Sequence, residues 1–143
     1  MTREEELLDL ITNKKIGVGA YRTVYSLNDC DDYIIKVANG DDGEKENLRE
    51  LLLWIEIKDC YPKLKKYFAP CLSCSDTGKY LLQKKVIFPD FKKYPKQLPS
   101  FFSDTKYQNF GLLNGKLVCI DFGCFNIRGS EKLKTVKWWD ANI

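Results

Sequence analysis

DTKYQNFGLLNGKLVCIDFG, residues 104–123, carries the densest chemistry in the chain. At its centre Asn114-Gly115 separates two apolar runs, the strongest short-range signal for a β-hairpin. The pattern predicts strands at Gly111–Leu113 and Lys116–Asp121. Asp104 and Asn109 precede this hairpin and Asp121 closes it. Mg²⁺ prefers oxygen ligands, few of them from protein and the rest from phosphates and water. Asn109 and Asp121 are therefore candidate metal ligands, and Asp104 is a candidate to orient a hydroxyl nucleophile.

Three features upstream complete an ordered set. GVGAYRTVY (17–25) lies between strand-like segments, and glycines there let a backbone approach phosphate without a Cβ in the way. Ile34-Ile35-Lys36-Val37 places one lysine in an apolar strand, where it presents a point charge to phosphate oxygens. The periodicity then predicts a helix over Glu44–Lys58, with Leu48, Leu51, Leu52 and Ile55 on one face. Leu53, Trp54 and Ile57 form a second apolar face that contains Glu50. A carboxylate among apolar groups is costly unless paired, and a charge-assisted bond to Lys36 would pair it. A partly exposed helix with a solvated acid is the alternative.

The remaining elements are coarser. Thr2 with Glu5 forms a capping box for a helix over residues 3–12, with Leu7, Leu8, Leu10 and Ile11 toward the core. Strands are expected at Ile16–Ser26 and Asp32–Ala38, joined at Asn28-Asp29, with residues 39–43 (NGDDG) as a loop. A strand pair is expected at Cys71–Ser75 and Lys79–Ile87. Residues 88–103 read as loop with a short helix around Leu98–Ser103. The order of elements is that of an α+β fold.

Composition narrows the chemistry. The chain has 143 residues, enough for one domain with a real core, and 44% of them are apolar. With 23 basic and 20 acidic residues it lacks the strong basic bias of a nucleic-acid binder, and no specific nucleic acid is expected. There is no histidine, which excludes Ser-His-Asp and Cys-His triads and histidine metal sites. MTREEELLDLI is no signal peptide and no apolar run is long enough to span a membrane, so a cytoplasmic protein with reduced thiols is expected. Cys71-Leu72-Ser73-Cys74 with the looser pair Cys119 and Cys124 makes a four-cysteine zinc site conceivable, but the second spacing fits poorly and free thiols are expected.

The ordered set resembles the protein-kinase family over roughly residues 14–124. GVGAYRTV resembles the glycine-rich loop, IIK the strand bearing the phosphate-pairing lysine, DTKYQN the catalytic loop, and IDFG the metal-binding motif. The resemblance implies an α+β, protein-kinase-like single domain. Residues 1–87 would form a near-complete small lobe, a twisted antiparallel sheet with one αC-type helix. Residues 88–143 would form a strongly reduced large lobe of catalytic loop and metal hairpin. It further implies ATP and Mg²⁺ as ligands, Asp104 as base, Lys106 near the transferred phosphate, and Asn109 and Asp121 on the metal. Gly17 and Gly19 amides would touch the β/γ phosphates and Lys36, held by Glu50, would grip the α/β phosphates. Adenine would lie among Ile16, Val24, Ile34 and Leu112, its edge along the backbone from Lys84 to Val86. Glu46 and Glu56 are alternatives to Glu50, and Glu56 also has a suitable distance from Lys36 in sequence.

The departures are as informative. Arg22 replaces the third glycine, either hindering closure of the loop or contacting phosphate itself. Ile34 narrows the adenine pocket, and Phe102-Ser103 stand where the family has His-Arg. Only 20 residues follow Gly123, too few for an activation segment and peptide-binding helices. This looks like the minimal kinase-like proteins of phages and other small genomes, which would act in the host cytoplasm. Two functions follow. One is an ATP/Mg²⁺-dependent phosphotransferase whose acceptor is a hydroxyl on a protein or on itself. The other is a pseudokinase that binds and inhibits a partner protein. Trp138-Trp139 needs a partner surface: the domain itself, a second copy in a homodimer, or a host protein.

Overall fold

The computed structural model of the protein describes residues 2–123 and 131–140. Cys124, and with it the second cysteine pair, lies outside the described residues, as do residues 125–130 and 141–143 of the tail.

Helix α1 (Arg3–Leu10) begins as the capping box requires, with the Glu5 amide donating to the Thr2 hydroxyl at 3.1 Å. It stops at Leu10 because Ile11 turns extended and opens strand β1 (Ile11–Val18). The helix meets Leu27, Ile35, Tyr80 and Leu82 along a single stripe, so Leu7 is buried whereas Leu8 and Leu10, expected in the core, are exposed. The strand expected at Ile16–Ser26 is two strands. The chain turns after β1, the Gly19 amide donates to the Arg22 carbonyl at 2.8 Å, and β2 (Arg22–Leu27) runs back. Strand β3 (Cys30–Ala38) follows a turn with Asp29 at φ +55°.

Helix α2 (Asp41–Cys60) starts inside the expected loop. Gly40, at φ +122°, caps it, and Asp41, Asp42 and Glu44 in the first turn complement the positive end of the helix dipole. Gly43 is there for space: a Cβ would stand 2.2 Å from the Tyr21 carbonyl. The face that turns inward is the one carrying Asn47, Glu50, Trp54 and Ile57, while Leu52 and Ile55 of the other apolar face are exposed.

Strands β4 (Cys71–Cys74) and β5 (Tyr80–Lys84) complete an antiparallel sheet in the order β1-β2-β3-β5-β4, with α2 packed against it. Beyond it, β6 (Gln97–Pro99) replaces the helix expected around Leu98–Ser103. The hairpin is β7 (Phe110–Leu113) and β8 (Lys116–Cys119), turned at Asn114 (φ +52°) and Gly115 (φ +79°) as a type I′ turn demands. The tail returns as β9 (Leu133–Thr135) and pairs with β6, a partnership that overrides local propensity. An aromatic core joins α2 to the hairpin: Trp54, Phe68, Tyr94, Phe101, Phe102, Phe110 and Phe122. Trp138 packs on Tyr94 and Phe110, and Trp139 is half exposed. No helix among the described residues is long and apolar enough to cross a membrane.

Candidate functional site

Alternation along β3 sends Ile35 to the α1 side and turns Ile34 and Lys36 toward a cleft of about 710 Å³. The Lys36 ammonium is buried and donates to Glu50 Oε1 and to the Ile120 carbonyl. Glu50 is fully buried, and its Oε2 accepts from Arg22 Nη2 at 3.1 Å and from the amides of Phe122 and Gly123 at 3.1 and 3.0 Å. One carboxylate thus ties α2, β3, β2 and the end of the hairpin together. Burial pushes the Glu50 carboxyl up, but Lys36 and Arg22 outweigh it and hold the group below the usual carboxylate range. Glu56 is solvent-exposed and does not meet Lys36. Glu46 lies 3.8 Å from the Arg22 guanidinium.

Arg22 enters this cluster from the first turn of β2. Nη1 donates to Asn47 Oδ1 at 2.9 Å, and Nη2 donates to Asp121 Oδ1 at 2.9 Å as well as to Glu50. Asn47 is itself fully buried and donates to the carbonyls of Lys36 and Gly78 at 3.2 and 2.8 Å. Burial disfavours the Arg22 cation, yet Glu50 and Asp121 outweigh it and fix the positive charge. For Glu46, burial and the neighbouring Asp121 and Glu50 carboxylates prevail over Arg22 and raise its affinity for a proton. The Asp121 side chain remains 43% exposed, facing the cleft.

At the cleft's other wall the chain passes through residues 104–109. Asp104 is exposed; its Oδ1 accepts from the Lys106 amide at 3.1 Å and its Oδ2 from Asn109 Nδ2 at 3.3 Å. Asn109 is fastened to the hairpin's end by its carbonyl, which accepts from the Ile120 amide at 2.8 Å. The tail clamps the same segment. Tyr107 N–H donates to the Trp139 carbonyl at 2.6 Å, Trp139 N–H to the Thr105 carbonyl at 3.2 Å, and the Gln108 amide group to Asp140.

Ile16, Gly17, Gly19, Val24, Ile34, Lys84, Val86, Lys106, Asn109 and Asp121 line the cleft together with Lys36. Asp104 and Leu112 are not among its lining residues; Leu112 is joined to Ile87 by a backbone bridge, and Ile120 lines the cleft. The amides of Lys84 and Lys85 are used within the fold, on the carbonyls of Pro70 and Asp32. The Gly19 amide is likewise committed to Arg22. Five basic side chains (Arg22, Lys36, Lys84, Lys85, Lys106) face three acids (Glu46, Asp121, Asp140), a balance that suits an anionic ligand. Burial pushes the Cys74 thiol up to about 11 and raises Cys71 and Cys119 too, so these thiols stay protonated at neutral pH.

No protein-family model and no curated protein matches the sequence. In three dimensions the chain is similar to the Legionella pneumophila Lpg2603 kinase bound to IP6. The TM-score is 0.50 at 16% identity, over 87% of this chain and 50% of that one. The fold is protein-kinase-like. The streptomycin–ATP–APH(2″)-IIa ternary complex is also similar, with a TM-score of 0.46 and 18% identity over 60% of this chain and 28% of that one. This kinase-like chain therefore spans half or less of the length of these two solved proteins.

Sequence reasoning missed Asn47 and the inward seat of Arg22. Asn47 had a visible signal: it precedes Glu50 by three positions, on the same helix face. For the clamp from residues 137–140 the only signal was Trp138-Trp139, which called for a partner surface without marking which segment the tail would meet.

Proposed function

We propose that the protein is an ATP/Mg²⁺-dependent phosphotransferase of minimal kinase-like type, transferring to a hydroxyl on a protein or on itself. The observation that carries this reading is the buried Lys36–Glu50 pair at the floor of an open, net-basic cleft, with Asn109 and Asp121 on its wall. Phosphoryl transfer depends mainly on positioning and charge, so few groups suffice. Lys36 grips the α/β phosphates, and Glu50 fixes the ammonium. Adenine lies among Ile16, Val24 and Ile34, along the backbone from Lys84 to Val86. Lys106 stands near the transferred group.

The donor set suits Mg²⁺ in kind. Asp121 offers a carboxylate oxygen besides the one paired with Arg22, and Asn109 bonds Asp104 through its amide nitrogen, which leaves the amide oxygen for a cation. Bound there, the metal would neutralise phosphate charge. Asp104 orients the acceptor hydroxyl and takes its proton. The acceptor oxygen bonds the γ-phosphorus as the bond to the β–γ bridging oxygen breaks, and ADP leaves.

The test is transfer of labelled γ-phosphate, with Asp104→Asn and Asp121→Asn beside the wild type. A loss of about a hundredfold or more in both variants is expected. Unchanged transfer in both sinks the reading. The second reading, a pseudokinase that acts by binding a partner, is favoured by the Arg22–Asp121 pair and by Asp104 lying off the cleft lining. It predicts nucleotide binding without transfer, and partner inhibition that survives both variants.

A further inference from the structure

Arg22 occupies a position that joins two otherwise separate parts of the site. It is 7% exposed, yet it lines the cleft. Its guanidinium is seated by Asn47 below, Glu50 beside it and Asp121 on the cleft side. Both Nη2 hydrogens and one on Nη1 are engaged in this way, which leaves one on Nη1 and the Nε hydrogen with no bond among the described residues. The two remaining N–H groups, on Nε and Nη1, diverge, so each offers a phosphate oxygen a single charge-assisted hydrogen bond. Lys36, which shares Glu50 with it, supplies a second cation on the same floor.

Asp121 is also the carboxylate on which a nucleotide-bound metal would sit. A dication placed there would lie a few ångströms from a guanidinium already held on Oδ1, with like charges facing across a partly buried space. The guanidinium cannot lose its proton to relieve this.

We propose that Arg22, seated on Asp121, is the cation this cleft presents to the polyphosphate of a nucleotide, so that ATP binds without a divalent metal and Mg²⁺ on the second Asp121 oxygen adds little to affinity. This rests on the nucleotide-binding reading above and deepens it: the metal's part is confined to the transfer step, and affinity comes from Arg22 and Lys36.

The experiment is calorimetric titration of the whole chain with ATP, once in EDTA and once in excess MgCl₂. For the wild type, the two dissociation constants should agree within about threefold. Tightening by Mg²⁺ of about tenfold or more would overturn the inference while leaving nucleotide binding intact. Absence of ATP binding under either condition would remove the nucleotide reading and the inference with it. Arg22→Gln removes the charge and withdraws the side chain from Asn47 and Asp121. It should bind ATP at least about tenfold more weakly in EDTA and recover with Mg²⁺. Wild-type affinity for Arg22→Gln in EDTA would also overturn the inference. Should that variant fail to fold, the two wild-type titrations decide the matter alone.

Discussion

The sheet side and the hairpin side of the molecule hold their site residues by different means. On the sheet side, Lys36 and Glu50 sit on the longest strand and the longest helix described, β3 with 9 residues and α2 with 20. Both are buried, and each fixes the other by charge. On the hairpin side no described element beyond residue 88 exceeds four residues. Asp104 and Asn109 lie in an open turn that owes its shape to backbone bonds with Trp139, to the Thr105 hydroxyl on the Lys137 carbonyl, and to the aromatic cluster beneath it. The comparison teaches that the two halves should fail separately. Damage to the charge cluster should unfold the protein, whereas damage to the tail should loosen residues 104–109 and leave Lys36 in place.

The largest effect is expected from Glu50→Ala. It strands the Lys36 and Arg22 cations in a buried space, which costs about 3–5 kcal/mol. Urea denaturation followed by circular dichroism measures it. A loss below about 1 kcal/mol would mean that the cluster does not hold the sheet side together. Next is Trp138→Ala. The indole N–H donates to the Pro95 carbonyl at 2.7 Å and the ring stands edge-on to Tyr94 and Phe110, 4.8 and 4.9 Å between centroids. Losing it should cost about 2–4 kcal/mol. It should also speed hydrogen exchange at the Tyr107 amide far more than in β3. Equal acceleration in both places would break the proposed separation.

That separation also marks what the sequence reveals and what it hides. The hairpin and the Lys36–Glu50 pair are legible because each is a local statement: Asn-Gly between apolar runs, and two opposite charges in apolar surroundings. The start of α2 is hidden by NGDDG, where turn-forming residues mask an acidic first helical turn over a close backbone contact at Gly43. The β6–β9 pairing and the seat of Arg22 are hidden for another reason. Arg22 and Asp121 are 99 positions apart, and no periodicity on either segment marks the other.

Gly111→Ala probes the seam between the two sides. A Cβ there would stand 2.3 Å from the Val86 side chain, where β7 runs against Val86 and Ile87 and Leu112 pairs with Ile87. Overpacking of this kind should cost about 1–3 kcal/mol, read as a lower urea midpoint with an unchanged slope. An unaffected midpoint would mean that the seam yields freely and that the hairpin is not fixed against Val86 and Ile87.

The smallest effect tests the sign of the charge balance around Arg22. Burial pushes the Glu50 carboxyl up, but Lys36 and Arg22 outweigh it and hold it below the ordinary carboxylate range, so its stabilisation is present above the unfolded-state value and is lost as pH falls through the folded one. Glu46 behaves oppositely. Burial and the Asp121 and Glu50 carboxylates raise it, so the folded chain holds that proton more tightly than the unfolded chain does. Its charge therefore costs stability as pH rises through the ordinary carboxylate range and above. Glu46→Gln removes the charge permanently. At neutral pH it should raise stability slightly, on the order of 0.5 kcal/mol, despite the loss of its 3.8 Å ion pair with Arg22. Below the carboxylate range the variant and the wild type should converge, since Glu46 is then neutral in both. Melting temperatures across that range check the point. A variant less stable than the wild type at neutral pH would mean that the ion pair with Arg22 outweighs the cost of burying the Glu46 charge.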